Sequence, residues 1–392
     1  MKFPHCLQRL AACVAPALLA HGAWAAPAGP PLKIGFVAPM SGEGAEFGQR
    51  IYNGVQAYIE EHGDTVAGRK VEVIVRDTTG PLPEMARRYS QELVARDKVE
   101  FLAGYAYTPE ALGGAPVATQ SKTPMIVMNA SASAVVQKSP YIARVSFTEG
   151  QLTAPLAEWA ARNGIKSAYT MVSDYAPGID AEKVFGKVFA AAGGTIEGGV
   201  RMPLTNPDFS PFVERMKAAE PAAVFFFAPG GDAVLGFLKA FSERGLGSAG
   251  VKVLMASQVP DETLQAMGAN GRYVTIASQY LLTRNLAQNT AFRKAYAAVA
   301  GPDDLPTQYS VAGYDGMAAI YNVATKLNGR IDGDAAMAAL EGMNIDSPRG
   351  PITIGTNRDI VQTIYIGSVK RAGNRNELVE IAHFDQVTDP EK

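Results

Sequence analysis

The sequence predicts an α/β protein made of two doubly wound parallel-sheet units. Three observations carry that expectation. Short apolar runs alternate with helical patterns along the 392-residue chain. The alternation falls into two sets, one over about 32–147 and one from about 148 to 276. The stretches "VEFLAGYAYTPEALGG" and "AAVFFFAPGGDAVLGF", about 125 residues apart, share one construction of strand, small-residue turn and helix. A chain of this length exceeds what one compact core takes up, so two lobes of similar build are expected.

The elements follow in order. "LKIGFVAP", "KVEVIVRD", "VEFLAG", "PMIVMNA", "SAYTMVSD", "AAVFFFAP" and "VKVLMAS" are apolar runs ending in small or turn residues, as strands buried on both faces do. Between them lie helical patterns such as "FGQRIYNGVQAYIEEHG", "EGQLTAPLAEWAARNG" and "DAVLGFLKAFSERGLG", with Gly63, Gly164 and Gly245 as helix stops. The pattern then changes. "AFRKAYAAVAG" and "QYSVAGYDGMAAIYNVATKLNG" read as two longer helices with no strong strand between them. A strand-rich end follows in "GPITIG", "VQTIYIGSV" and "ELVEIAHF".

The first residues predict export. Lys2 and Arg9 precede the apolar "LAACVAPALLA", and "AWA" places small residues before a cut near Ala25/Ala26. A signal peptide over 1–25 is expected. "LAAC" has the residue types of a lipobox, but Arg9 stands four residues ahead of Cys13 and the apolar segment follows the cysteine, so soluble export to a periplasm is the expectation. Removal of that segment takes both cysteines, Cys6 and Cys13, and leaves two histidines, His62 and His383. Disulfides, thiol nucleophiles and thiolate metal sites are then excluded. Loss of Lys2 and Arg9 takes the net charge from −2 to about −4, which offers no basic surface for nucleic acid.

Catalytic patterns are weak. "MSGEGAEFGQR" follows the first strand, as a phosphate-cradling turn would. Its spacing is one residue longer than the dinucleotide fingerprint, however, and Asp77, the candidate ribose partner, lies 29 residues past Gly48 rather than about 20. There is no P-loop, no serine-hydrolase elbow, and two isolated histidines make neither a triad nor a zinc site. No catalytic residue, metal or cofactor is expected. The turns "MSGEGAEFGQ", "GYAYTPE", "MNASASA", "VSDYAPG", "APGGD" and "ASQVPD" each follow a strand and open onto a helix. Backbone amides and hydroxyls there suit a carboxylate, and Phe47, Tyr105, Tyr107 and Tyr175 offer flat walls.

Taken together, these segments, with "VEVIVRDTTGPLPEMARRYSQELVARDKVEFLAG" and "NPDFSPFVERMKAAEPAAVFFFAPGGDA", resemble the branched-chain amino acid (Leu/Ile/Val-binding) family of ABC-transporter substrate-binding proteins. The resemblance implies a type I periplasmic binding protein: two α/β lobes, 32–147 plus 279–350 and 148–278 plus 351–392, joined by three hinge crossovers, with the ligand between them. The implied ligand contacts are Phe47 over the ligand, Thr108 with Tyr107 beside it, Ala130, Ser131 and Ser133 from the next turn, and Tyr175 from the second lobe. The acidic residue that pairs the ammonium of an amino acid in this family falls at Gln258, a neutral amide, so aromatic or other organic acids become ligand candidates beside amino acids. Asp232 is the remaining cation partner. The expected receptor is a monomer that passes a small carboxylate to an ABC permease. A ligand sensor for a receptor or sensor kinase, or an exported enzyme on the same scaffold, are the alternatives.

Overall fold

The computed structural model describes residues 29–42, 44–204, 207–256 and 259–392. The expected signal peptide and its cut, and Gln258, lie outside the described residues.

In the first sheet β1 (Leu32–Ala38), β3 (Arg69–Asp77), β4 (Phe101–Gly104), β5 (Met125–Val127) and β6 (Ile142–Arg144) run parallel in the order β3-β1-β4-β5-β6. The short β2 (Thr65–Val66) adds an antiparallel edge on β3. Helices α1 (Ala45–His62), α2 (Pro83–Glu92) and α3 (Thr108–Ser121) provide the crossovers. The late helices α9 (Ala287–Ala300) and α10 (Gln308–Lys326) return to this lobe and pack on α1. Two glycines set that approach: a Cβ at Gly54 would stand 1.8 Å from the Ser310 carbonyl oxygen, and one at Gly313 would stand 2.0 Å from that of Ile51.

The second sheet repeats the winding. β7 (Ser167–Ser173), β8 (Thr195–Met202), β9 (Ala223–Phe227), β10 (Lys252–Ala256) and β11 (Val274–Ser278) are parallel in the order β8-β7-β9-β10-β11. Helices α4 (Glu149–Arg162), α5 (Ala176–Ala191), α6 (Ser210–Ala218), α7 (Gly231–Glu243) and α8 (Asp261–Ala266) accompany them. The sheet is not purely parallel. β14 (Ile360–Ala372) joins β11 antiparallel, and β15 (Arg375–Val387) folds back on β14 through a turn at Gly373, as a tight hairpin must. β12 (Asn344–Ser347) and β13 (Gly350–Ile354) extend it antiparallel beyond β14. Ile345, Ile352 and Ile354 nevertheless pack in the first lobe's core, so this hairpin is hydrogen-bonded to one lobe and packed in the other.

Both sheets reverse strand order between their first and third parallel strands, and open α/β sheets bind ligands at that reversal. The loops there include 39–42 and 105–107 in the first lobe and 174–175 and 228–230 in the second.

Two buried arginines fasten the crossovers. Arg144, fully buried at the end of β6, grips Asp359 with both sides of its guanidinium, at 2.9 and 3.1 Å. Its Nη1 donates to the carbonyls of Ala130, Ala132 and Phe147. Arg349 donates to the carbonyls of Val145 and Ser146 and pairs with buried Asp315 at 2.8 Å. Burial pushes the Asp359 carboxyl up, but the charges of Arg144 and Lys392 outweigh it and hold the group below its ordinary value.

Asp359→Ala leaves Arg144 charged and unpaired in the core. Urea unfolding at neutral pH is expected to lose roughly 3–5 kcal/mol of stability. Because the native carboxyl's pKa is depressed, its contribution is full above the unfolded value of 3.8 and is lost as pH falls through the native one. The difference between wild type and variant therefore shrinks on acidification below that range.

Candidate functional site

The turn after β1 is held by Asp77, at the end of β3. Its carboxylate accepts from the amides of Met40 (2.8 Å), Ser41 (3.2 Å) and Thr79 (2.8 Å) and from the Ser41 hydroxyl. Burial raises the Asp77 carboxyl, and these bonds outweigh it to leave it below its ordinary value. A carboxylate spent on its own turn is unavailable to a ribose. The turn delivers Phe47, on the first turn of α1, to the cleft.

After β4 the chain enters α3. Tyr107 is the N-cap, and the Glu110 side chain accepts the Tyr107 amide (2.8 Å) and the Thr78 hydroxyl. Thr108, the next residue, accepts from the Ala132 amide at 3.3 Å, which leaves its own hydroxyl hydrogen to donate. Tyr105 does not reach the cleft. Its ring is fully buried with the phenol 2.7 Å from Ser90 Oγ, so it belongs to the core rather than to a ligand wall.

Phe47, Tyr107, Thr108, Ser131 and Tyr175 come together around one narrow cavity of about 40 Å3, smaller than a small-ligand site usually is, so a ligand enters only as these walls part. Rings from both lobes wall it. Phe47 meets Tyr107 at 5.5 Å and Tyr309 at 4.8 Å between centroids, and Tyr175 lies parallel to Phe227 at 6.2 Å, 13° apart. Burial drives the Tyr175 and Tyr309 phenols well above their ordinary value.

The other expected residues stand elsewhere. Ala130 is fully buried beside the cavity, with its amide donating to the Tyr105 carbonyl and its carbonyl held by Arg144. Ser133 does not line the cavity, and its amide donates to Asp180 of α5 at 3.0 Å. Asp232 is exposed at a wider outer opening, which it lines with Glu46 and Glu262. Arg50 of α1 pairs with Glu262 of α8 and Asp304 near that opening, so a salt bridge links the lobes there.

The cavity also holds residues that the sequence pattern did not single out. Glu149 opens α4 immediately after the crossover, 3% exposed, with Oε1 accepting the Ser131 hydroxyl at 3.1 Å and Oε2 unpartnered. Burial raises its carboxyl well above the ordinary value; the Ser131 bond and the Arg144 charge oppose this, and the Asp180 charge adds to it. Asn129 donates to the Ala106 carbonyl (2.7 Å), and its Oδ1 has no partner. Tyr309 arrives from α10, Phe147 from the crossover and Phe227 from the end of β9. Glu149 reads in the sequence as part of a helix cap, Thr148-x-x-Gln151. Its signal was its place at the lobe crossover.

A family model described as periplasmic binding protein matches residues 31–374, and the chain belongs to that family. The Leu/Ile/Val-binding protein homolog 6 of Brucella melitensis is 38% identical over 363 residues, covering 92% of this chain and 93% of that protein. Two solved structures from Rhodopseudomonas palustris are also similar, both solute binding proteins of ABC transporters. That of strain BisB5, in complex with 3,4-dihydroxybenzoic acid, is 43% identical with a TM-score of 0.86, covering 92% of this chain and 99% of that one. That of strain HaA2, in complex with p-hydroxybenzoic acid, is 38% identical with a TM-score of 0.88, covering 93% and 99%. The type I fold with two α/β lobes is thereby established, and the family places its members in the periplasm as partners of ABC importers.

Gly44, the N-cap of α1, adopts φ +80°, and a Cβ there would meet the Tyr107 hydroxyl at 2.5 Å. Gly44→Ala is expected to displace Tyr107 from the cavity wall while the lobes stay folded. Calorimetric titration should show ligand affinity lowered about tenfold or more, on the order of 1.4 kcal/mol.

Proposed function

We propose that this protein is an exported receptor that captures a small aromatic carboxylate between its lobes and delivers it to an ABC permease. The observation that carries the reading is the cavity itself: six rings from two lobes form a slot, with the Thr108 hydroxyl and the Ser131–Glu149 pair among them. The ring of an aromatic acid lies, in this reading, between Phe47 and Tyr309 on one side and Tyr175 and Phe227 on the other, with the walls parted to admit it. Its carboxylate accepts from Thr108, and Asn129 Oδ1 is available to a ring hydroxyl. The hydroxybenzoates carried by the two Rhodopseudomonas proteins support this choice.

The moving bodies are residues 32–147 with 279–350 and 148–278 with 351–392, with the β12–β13 hairpin shared at the hinge. Closure is a shift between open and closed populations, weighted by the ligand's better contacts in the closed form. The protein acts as a monomer and performs no chemistry, and its signal peptide is removed near Ala25/Ala26.

Thermal unfolding tests the reading. A ligand at a hundred times its Kd adds about 2.7 kcal/mol of apparent stability. 4-Hydroxybenzoate and 3,4-dihydroxybenzoate are expected to raise Tm; leucine, isoleucine and valine are not. The reverse ranking would overturn the assignment in favour of an amino acid receptor, as the Leu/Ile/Val-binding name of the Brucella relatives suggests. Thr108→Val should lower affinity for the aromatic acids by roughly 1.5–3 kcal/mol, the usual loss of a hydrogen bond to a charged group.

A further inference from the structure

Among the described residues that line it, the cavity contains a carboxyl group and no cation. Among its lining residues there is no lysine and no arginine, and Glu149 is the one acidic group. The nearest guanidinium behind it, Arg144, spends its donors on Asp359 and on the carbonyls of Ala130, Ala132 and Phe147. Glu149 itself makes no ion pair. Its Oε1 is taken by the Ser131 hydroxyl, and its Oε2 is buried with no partner. An anionic ligand held by Thr108 therefore comes to rest beside a second carboxyl in the same cavity. Two carboxylates so placed cannot both stay ionised, and one proton must be held between them.

We propose that Glu149 is the specificity-determining residue of this receptor: it holds a proton on Oε2 and donates it to the ligand's carboxylate. The inference rests on the aromatic-acid reading above and deepens it. A protonated Glu149 is a donor, so it accepts a ligand bearing a negative charge and nothing to balance it. An ionised Glu149 would instead demand an ammonium group, as an α-amino acid supplies. The protonation state of this one side chain thus separates two ligand classes that share the fold.

Burial and the neighbouring charge favour the neutral form, against the Ser131 hydrogen bond and the Arg144 charge. Asp180 of α5 faces Glu149 with negative charge, and the phenols of Tyr107, Tyr175 and Tyr309 enclose it without positive charge. Arg144 on β6 is the sole opposing charge and is shared with Asp359. Burial holds the Glu149 carboxyl well above its ordinary range in the same sense. Ligand binding then depends on pH through this group. Affinity is flat while Glu149 stays protonated in the free receptor. Above its pKa there, affinity falls ~tenfold per pH unit, and one proton is taken up per ligand bound.

The test uses the full exported chain, wild type and Glu149→Gln, with benzoate and 4-hydroxybenzoate. Infrared difference spectra of the complexes report the carbonyl stretch of a protonated carboxyl, which is expected in the wild type and absent in Glu149→Gln. Titrations of benzoate in buffers of different ionisation heat measure proton uptake across alkaline pH. The variant, whose amide can donate but carries no titrating proton, is expected to bind about tenfold more weakly with a flat pH profile. A wild-type complex without the protonated-carboxyl band would overturn the proposal, as would equal binding of these acids by both proteins at all pH values. The infrared measurement on wild type alone decides the matter if the variant fails to fold. If neither acid binds the wild type and leucine does, and Glu149→Gln abolishes that binding, the aromatic-acid reading itself has failed. Its failure is thereby distinguishable from failure of the protonated-Glu149 proposal alone.

Discussion

The ion pair between Arg144 and Asp359 is the constraint on which the site depends. A guanidinium removed from water is costly, and this one is kept by a bidentate carboxylate and three backbone carbonyls. Those carbonyls belong to Ala130, Ala132 and Phe147. The same arginine therefore fixes the loop that carries Ser131 and the crossover that carries Phe147 and leads into Glu149. Asp359 lies more than two hundred residues further along, at the start of β14, so one buried pair ties the first lobe's last strand to the returning chain. Lys392 and Asp389 close the arrangement from the C-terminal side.

Around that anchor the two sheets present equivalent positions to each other. Each has the strand order in which the first strand lies between the second and third, and in each the loops at the reversal project into the cleft. Phe47 and Tyr107 come from one reversal, Tyr175 and Pro229 from the other. The product is a slot lined by rings and by few polar groups, of which Asn129 Oδ1 and Glu149 Oε2 have no protein partner. Such a site gains affinity from ring burial and gains orientation from a few donors. The outer opening differs in kind. There Glu46, Asp232, Glu262 and Arg50 form a charged, partly exposed rim that links the lobes without touching the inner cavity.

Much of this was legible in the sequence because parallel strands buried on both faces leave continuous apolar runs. Strand ends marked by small residues located Phe47, Tyr107, Thr108, Ser131 and Tyr175, all of which meet at the cavity. The exposed, alternating β8, "TIEGGVRM", left no such run. Tyr309 was hidden because it lies on a helix that reads as core, and Phe227 because "AVFFF" is a buried strand up to its last ring. Asp232 had the right chemistry but occupies the rim. Glu149 carried the opposite difficulty. An acidic residue in the first turn of a helix is the ordinary complement of the helix dipole, and nothing local distinguishes one that is buried against a ligand. Only the path of the chain between lobes places it there.

The central claim is that an aromatic carboxylate is held in the inner cavity between the lobes. The crystal structure of the protein with 4-hydroxybenzoate tests it most directly. The account predicts the ligand ring between Phe47 and Tyr309 on one face and Tyr175 and Phe227 on the other. It places the carboxylate within hydrogen-bond distance of Thr108 and the Ser131–Glu149 pair. A ligand bound at the outer rim beside Asp232, or an inner cavity closed on an amino acid whose ammonium contacts Glu149, would contradict it.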